Sequence, residues 1–133
     1  MGEILATLQV AEPSRRDAAV DVVCLADSGS VDTVIQPSIA RRLVLPVDRE
    51  ESLYTAREEE ISGRVVFADV RILPYDWHAR QRVFVPDEAY QESLVFDPRT
   101  GGLKRPDGLL GVGLLQAGGY VLDFKRHRVA RSG

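Results

Sequence analysis

The sequence predicts an all-β protein, a small closed β-barrel carrying one or two short helices. Short segments rich in Val, Ile, Leu, Phe and Tyr recur along the chain with Gly, Pro and Asp between them, the punctuation of many brief strands. Helical periodicity is nowhere sustained, which turns the balance away from a helical fold. The strand spacing, with that absence of helical periodicity, makes a closed or nearly closed β-barrel the best architecture. The 133 residues, 44% of them apolar, suffice for one core, so residues 1–133 are read as one domain.

In chain order, the strand candidates are Ile4 to Val10, Ala19 to Ala26, Ser52 to Ala56, Arg64 to Leu73, Gln81 to Val85, Ser93 to Phe96, Tyr120 to Phe124 and Arg128 to Ala130. In the longest, Val66, Ala68, Val70 and Ile72 share one face while Asp69 and Arg71 share the other, the alternation of a strand with one face in a core. Two stretches read as helix. Pro37 can open a first turn, Ile39, Ala40, Leu43 and Val44 recur at helical spacing, and Pro46 stops the run. The second helix runs from Gly113 to Ala117 and is closed by Gly118-Gly119, which supply the left-handed positions of a helix end. Asp97 to Gly108 is dense in turn formers and is read as a loop. Trp77, after Pro74-Tyr75, falls in a hairpin turn.

Composition excludes several functions. Lysine and arginine total 17 against 20 acidic residues, for a net charge of -3, so no basic field is present to hold a phosphate backbone and nucleic acid is not an expected partner. The richest apolar run, Leu109 to Leu115, is far too short to span a bilayer and contains glycine; no membrane partner is expected. The start of the chain has no basic segment followed by an apolar one, and position 6 is Ala where a myristoylation signal carries Ser or Thr, so a cytoplasmic protein is expected. Cys24, the single cysteine, lies in an apolar run and reads as a buried structural thiol.

The chemistry is concentrated in Val22-Val23-Cys24-Leu25-Ala26-Asp27-Ser28-Gly29-Ser30. An apolar strand there delivers a carboxylate into a tight turn, where Gly29 leaves room for close backbone passage and Ser28 can donate a hydrogen bond. By itself, an acid followed by Ser-Gly is equally well an ordinary turn. The surrounding order resembles the retropepsin-like, retroviral-type aspartic protease family. The Asp27-Ser28-Gly29-Ser30 run is followed by Thr33-Val34-Ile35 and the Pro37 helix, and later by Leu109-Leu110-Gly111, a short helix and closing strands. The likeness extends from about Leu5 to Ala130.

That resemblance implies a barrel of the acid protease type and an aspartic endopeptidase with no cofactor and no metal. It implies Asp27 as the catalytic acid, with Ser28, Gly29 and Ser30 supporting its turn and Leu109, Leu110 and Gly111 as a second motif. Such hydrolysis uses two carboxylates that share a proton, and one chain offers a single Asp-Ser-Gly. The implied partner is therefore a second copy, with the active site at a two-fold axis and a peptide or protein as substrate. The strands Ile4 to Val10 and Tyr120 to Ala130 are candidates for the interface. A hairpin flap is implied over Tyr54 to Val66, with Tyr54, Ser62 and Gly63 as its marked residues and Ser62-Gly63 as its turn. Glu58-Glu59-Glu60 departs from a glycine-rich tip; it reads as a solvated charge run, or as a preference for basic substrates. The rival reading is a binding module that keeps the barrel without turnover.

Other constellations carry less. Gly111-Val112-Gly113 begins like a dinucleotide fingerprint but has Gln116 where the third glycine belongs. His78 and His127 share no metal-ligand spacing with cysteine or carboxylate and read as surface or turn residues. Asp32 reads as a turn residue, and Asp123 as a solvent-facing acid in a strand.

Overall fold

The computed structural model describes residues 4–27, 29–54, 58–89, 95–97 and 101–131. Strands β1 (Leu5–Ala11) and β2 (Val20–Asp27) form an antiparallel pair running from Leu5↔Leu25 to Val10↔Val20. A single 3-10 turn at Arg16–Ala18 joins them. Then follow β3 (Val34–Ile35), helix α1 (Pro37–Ala40), β4 (Val47–Tyr54), β5 (Glu60–Ile72) and β6 (His78–Pro86). The last third holds β7 (Val95–Asp97), β8 (Gly102–Lys104), β9 (Gly108–Gly111), helix α2 (Val112–Gly118), β10 (Tyr120–Asp123) and β11 (Arg128–Arg131).

Seven strands make one sheet in the order β1-β2-β9-β3-β6-β5-β4, and β5 also pairs with β1. That extra pairing closes a barrel of all these strands except β4, which hangs outside on β5. The pairing is mixed: β2–β9 and β3–β6 are parallel, while β3–β9 is antiparallel. β9 thus lies between β2 and β3, the two strands that flank the Asp27 turn.

Alternation fills the barrel. Val66, Ala68, Val70 and Ile72 of β5 are all buried, as the period of two requires, and they join Leu8, Val10, Val22, Cys24, Val83, Val85 and Leu110 in one core. Their neighbours Val65, Phe84 and Val34 point the other way. With Leu53, Ile61 and Leu109 at its margin, this second apolar cluster lies between the outer wall and the β4–β5 hairpin. The connection from β5 to β6 anchors the last hairpin: the Tyr75 hydroxyl donates to the Val129 carbonyl at 2.7 Å, and Trp77 meets Tyr120 edge-on at 6.0 Å. Trp77 is therefore in the expected hairpin connection and packs against the core.

Several expectations are corrected. β4 begins at Val47, not Ser52, because it stands outside the barrel and its first residues are exposed, so no apolar alternation marks it. The first helix stops at Ala40 and continues to Leu43 only as turns, Arg42 donating to Ile39 and Leu43 to Ala40. The stretch Asp97 to Gly108 is not all loop: β8 pairs with β7 through Asp97↔Gly102, and Gly101, at φ 73, supplies the left-handed turn residue that made the run look unstructured. The second helix ends as predicted, Gly119 adopting φ 71 at its cap. No helix among the described residues is long and apolar enough to cross a membrane.

Candidate active site

Asp27 is the last residue of β2, and across the parallel ladder its partner is Gly111, the last residue of β9. Leu25 and Ala26 pair in the same way with Leu109 and Leu110. Two motifs remote in sequence are thereby adjacent in backbone. Their side chains divide the work by alternation: Leu110 is fully buried in the barrel core, and Leu109 sits at the margin of the outer apolar cluster.

Gly111 is glycine for a steric reason. A Cβ there would lie 2.4 Å from the Asp32 carbonyl oxygen and 2.6 Å from that of Val31, distances no side chain tolerates. The loop after Asp27 is pressed onto this glycine and tied to it. Val112 N–H donates to the Ser30 carbonyl at 2.8 Å and Gly113 N–H to the Val31 carbonyl at 3.0 Å. The Ser30 hydroxyl donates to the Asp32 carbonyl at 2.8 Å, and Gly111 N–H donates to the buried Thr33 hydroxyl at 3.1 Å. Gly29 lies in the turn and is exposed, and Asp32 is an exposed bend residue as expected. Ser28 lies outside the described residues.

A further tie sits at the start of β9. The Asp107 carboxylate accepts from Val23 N–H at 3.0 Å, while its backbone N–H donates to the Val23 carbonyl at 2.8 Å and its carbonyl accepts from Gln36. Asp107 therefore holds β2 and β3 on either side of β9. Neither Thr33 nor Asp107 stood out in the sequence as a site residue. The only signal for Asp107 was its Pro-Asp-Gly setting, which reads as a turn.

The segment read as a flap, Tyr54 to Val66, falls in the β4–β5 hairpin, and the turn of that hairpin is not where the sequence placed it. Ser62 and Gly63 are paired strand residues, opposite Ser52 and Glu51, and the last paired position is Tyr54↔Glu60. The reversal therefore falls between Tyr54 and Glu60, where residues 55–57 lie outside the described set. Gly63 serves packing instead of turning: a Cβ would come within 2.4 Å of the Val85 carbonyl oxygen and 2.6 Å of the Phe84 ring. Tyr54, at the end of β4, is 70% exposed. Glu58 adopts φ 62, a left-handed conformation that a non-glycine residue takes only at a cost.

Remaining titratable groups have structural settings. Cys24 is fully buried, and burial, assisted by the Asp107 carboxylate, pushes its thiol well above the ordinary range. The neutral thiol that results is a poor nucleophile. His78 Nδ1 lies 2.9 Å from the Asp69 carboxylate on the outer face of β5 and β6, and His127 sits at φ 50 in the turn between β10 and β11. Asp123 accepts from Arg126 N–H at the edge of β10. Among the described residues no three His, Cys, Asp or Glu side chains gather as a metal site.

A barrel whose acid-bearing strand is locked to a glycine-ended strand, with a β4–β5 hairpin extending from its wall, defines a class of protein. Residues 16–114 match the family model described as aspartyl protease, and the chain belongs to that family. No curated protein sequence matches the chain. Among solved structures, the retroviral protease-like domain of Ddi1 from Leishmania major aligns with a TM-score of 0.60 at 14% identity, covering 98% of this chain and 89% of that one. The EIAV protease complexed with the inhibitor HBY-793 aligns at 0.54 with 14% identity, over 86% of each chain. A retropepsin-like aspartic protease from Rickettsia conorii aligns at 0.50 with 15% identity, over 92% of this chain and 85% of that one. The fold is retropepsin-like, as the sequence predicts.

Proposed function

We propose that this chain is an aspartic endopeptidase that works as a homodimer, Asp27 of each copy acting on one shared water. The observation that carries the reading is the backbone pairing of Asp27 with Gly111, which holds a single acid at the end of a rigid strand. Peptide hydrolysis of this type needs one carboxylate as base toward water and a second, protonated, as acid toward the scissile carbonyl. Two like charges at one point cannot both ionise, so the pair shares a proton and titrates as a unit. With one Asp-Ser-Gly per chain, the second acid comes from a second copy across a two-fold axis.

β1 has strand neighbours on both sides from Leu8 to Val10. That leaves the β10–β11 hairpin, which carries exposed Val121 and Phe124, as the better candidate for the contact between copies. Substrate would lie extended beside the β4–β5 hairpin, against Leu53, Ile61 and Leu109 at the margin of the outer apolar cluster. A binding module without turnover is the second reading; the acidic hairpin tip with Glu58 in a left-handed conformation favours it. Asp27→Asn is expected to leave the fold and the dimer intact and to lower peptide cleavage by about a thousandfold or more, measured on a peptide library with light scattering run in parallel. Cleavage that survives the substitution, or an active monomer, rules out the dyad. Wild-type protein that cuts nothing from acid to neutral pH, with or without a statine-type inhibitor, selects the binding module.

A further inference from the structure

We infer that Thr33 is a positioning residue for Asp27, acting through the hydrogen bond between its buried hydroxyl and the N–H of Gly111. The inference rests on the reading of Asp27 as the catalytic acid. Three consecutive N–H groups, those of Gly111, Val112 and Gly113, all donate into the loop that follows Asp27. Two of the acceptors are the carbonyls of Ser30 and Val31, which every residue carries. The third is a side chain, and Thr33 is only 4% exposed. It is therefore the one acceptor of the three that a single substitution can remove.

Its place in the ladder gives that bond its consequence. Gly111 is the register partner of Asp27, and it has no slack: the carbonyl oxygens of Val31 and Asp32 would crowd a Cβ at 2.6 and 2.4 Å. Thr33 is itself held to the barrel wall, its carbonyl accepting from Phe84 N–H at 2.9 Å. A chain of contacts thus runs from β6 through Thr33 and Gly111 to the end of β2. With the hydroxyl gone, Gly111 N–H is left buried without its acceptor, and the cheapest remedy is movement of the β9–α2 corner. The partner of Asp27 moves with it. Displacements of an ångström at a reacting group are enough to cost about a hundredfold in rate.

The test compares Thr33→Val, which keeps the branched shape and deletes the acceptor, with Thr33→Ser, which keeps the hydroxyl, and Thr33→Cys, a weaker acceptor. For folded protein, kcat on the best library peptide is expected to fall about ten- to a hundredfold in Thr33→Val with KM little changed. Thr33→Cys should lie between, and Thr33→Ser should restore most of the activity. The pH profile of kcat/KM should move in Thr33→Val, together with the titration of the 13C-labelled Asp27 carboxyl by NMR. A variant that melts lower yet keeps its kcat, its pH profile and the Asp27 titration overturns the inference and leaves Thr33 a purely structural residue. If Thr33→Val does not fold, Thr33→Cys carries the same comparison. If the wild type proves inactive, the aspartic peptidase reading falls by that result alone, and the Asp27 titration across the three variants still decides whether Thr33 governs its surroundings.

Discussion

Strand β5 does two different jobs along its length, and the contrast separates scaffold from working surface. From Val66 to Ile72 it is barrel wall, with Val66, Ala68, Val70 and Ile72 all buried, paired with β6 as far as Arg71 and with β1 from Asp69 onward. From Glu60 to Val65 it is one arm of the hairpin; its partner β4 is mostly exposed, and the apolar contribution is confined to half-buried Ile61 with Leu53 opposite and buried Val65. The wall is stabilised by apolar burial on a face that water never reaches. The hairpin has less of it, so its local opening free energy lies at the low end of the molecule's range. Under the proposed peptidase reading, a hairpin that opened over a bound peptide would have to be built this way.

Changes in the wall and changes in the hairpin should therefore separate cleanly. Leu110→Ala empties a fully buried site within the second motif and should cost about 2–5 kcal/mol of global stability by chemical denaturation. A loss under about 1 kcal/mol would mean that the wall repacks far more easily than its burial implies. Ile61→Ala removes a half-buried contact at the hairpin and should cost about 1 kcal/mol, with its main effect on KM and on amide exchange in β4. If global stability falls as far as in Leu110→Ala, the hairpin is part of the cooperative core and the contrast breaks.

Cys24 gives a pH test confined to the wall. Its folded thiol is held above the ordinary value of 9.0 by burial and by Asp107, so above that pH the unfolded chain loses a proton that the folded chain keeps. Stability should fall as pH rises past about 9, by about 1.4 kcal/mol per unit at most from this group, and Cys24→Ala should remove that part of the slope. Glu58→Gly is the smallest change, relieving the left-handed residue near the hairpin tip for a gain of under about 1 kcal/mol. A loss of stability there would show that the glutamate side chain holds the tip.

Much of the wall was legible because burial imposes a period of two, and Val66 to Ile72 display it openly. Asp27 and Leu109-Leu110-Gly111 were legible for a different reason, the order of residue types around them. β4 was half hidden, since an exposed strand is under no pressure to alternate. Gly63 misled: glycine marks a turn in sequence, and here it makes room for Phe84 and the backbone of β6.

The amino-acid sequence alone determined that this is a strand-built domain with one acid-Ser-Gly turn and one Leu-Leu-Gly turn, because both follow from local pattern and residue chemistry. Only the tertiary structure decided that β9 inserts beside β2 so that Asp27 faces Gly111, and that Thr33 and Asp107 hold the junction. Those contacts join residues about eighty positions apart. Nothing within a local window reports such a pairing, which is selected by closure of the whole sheet and by the need to satisfy every buried N–H.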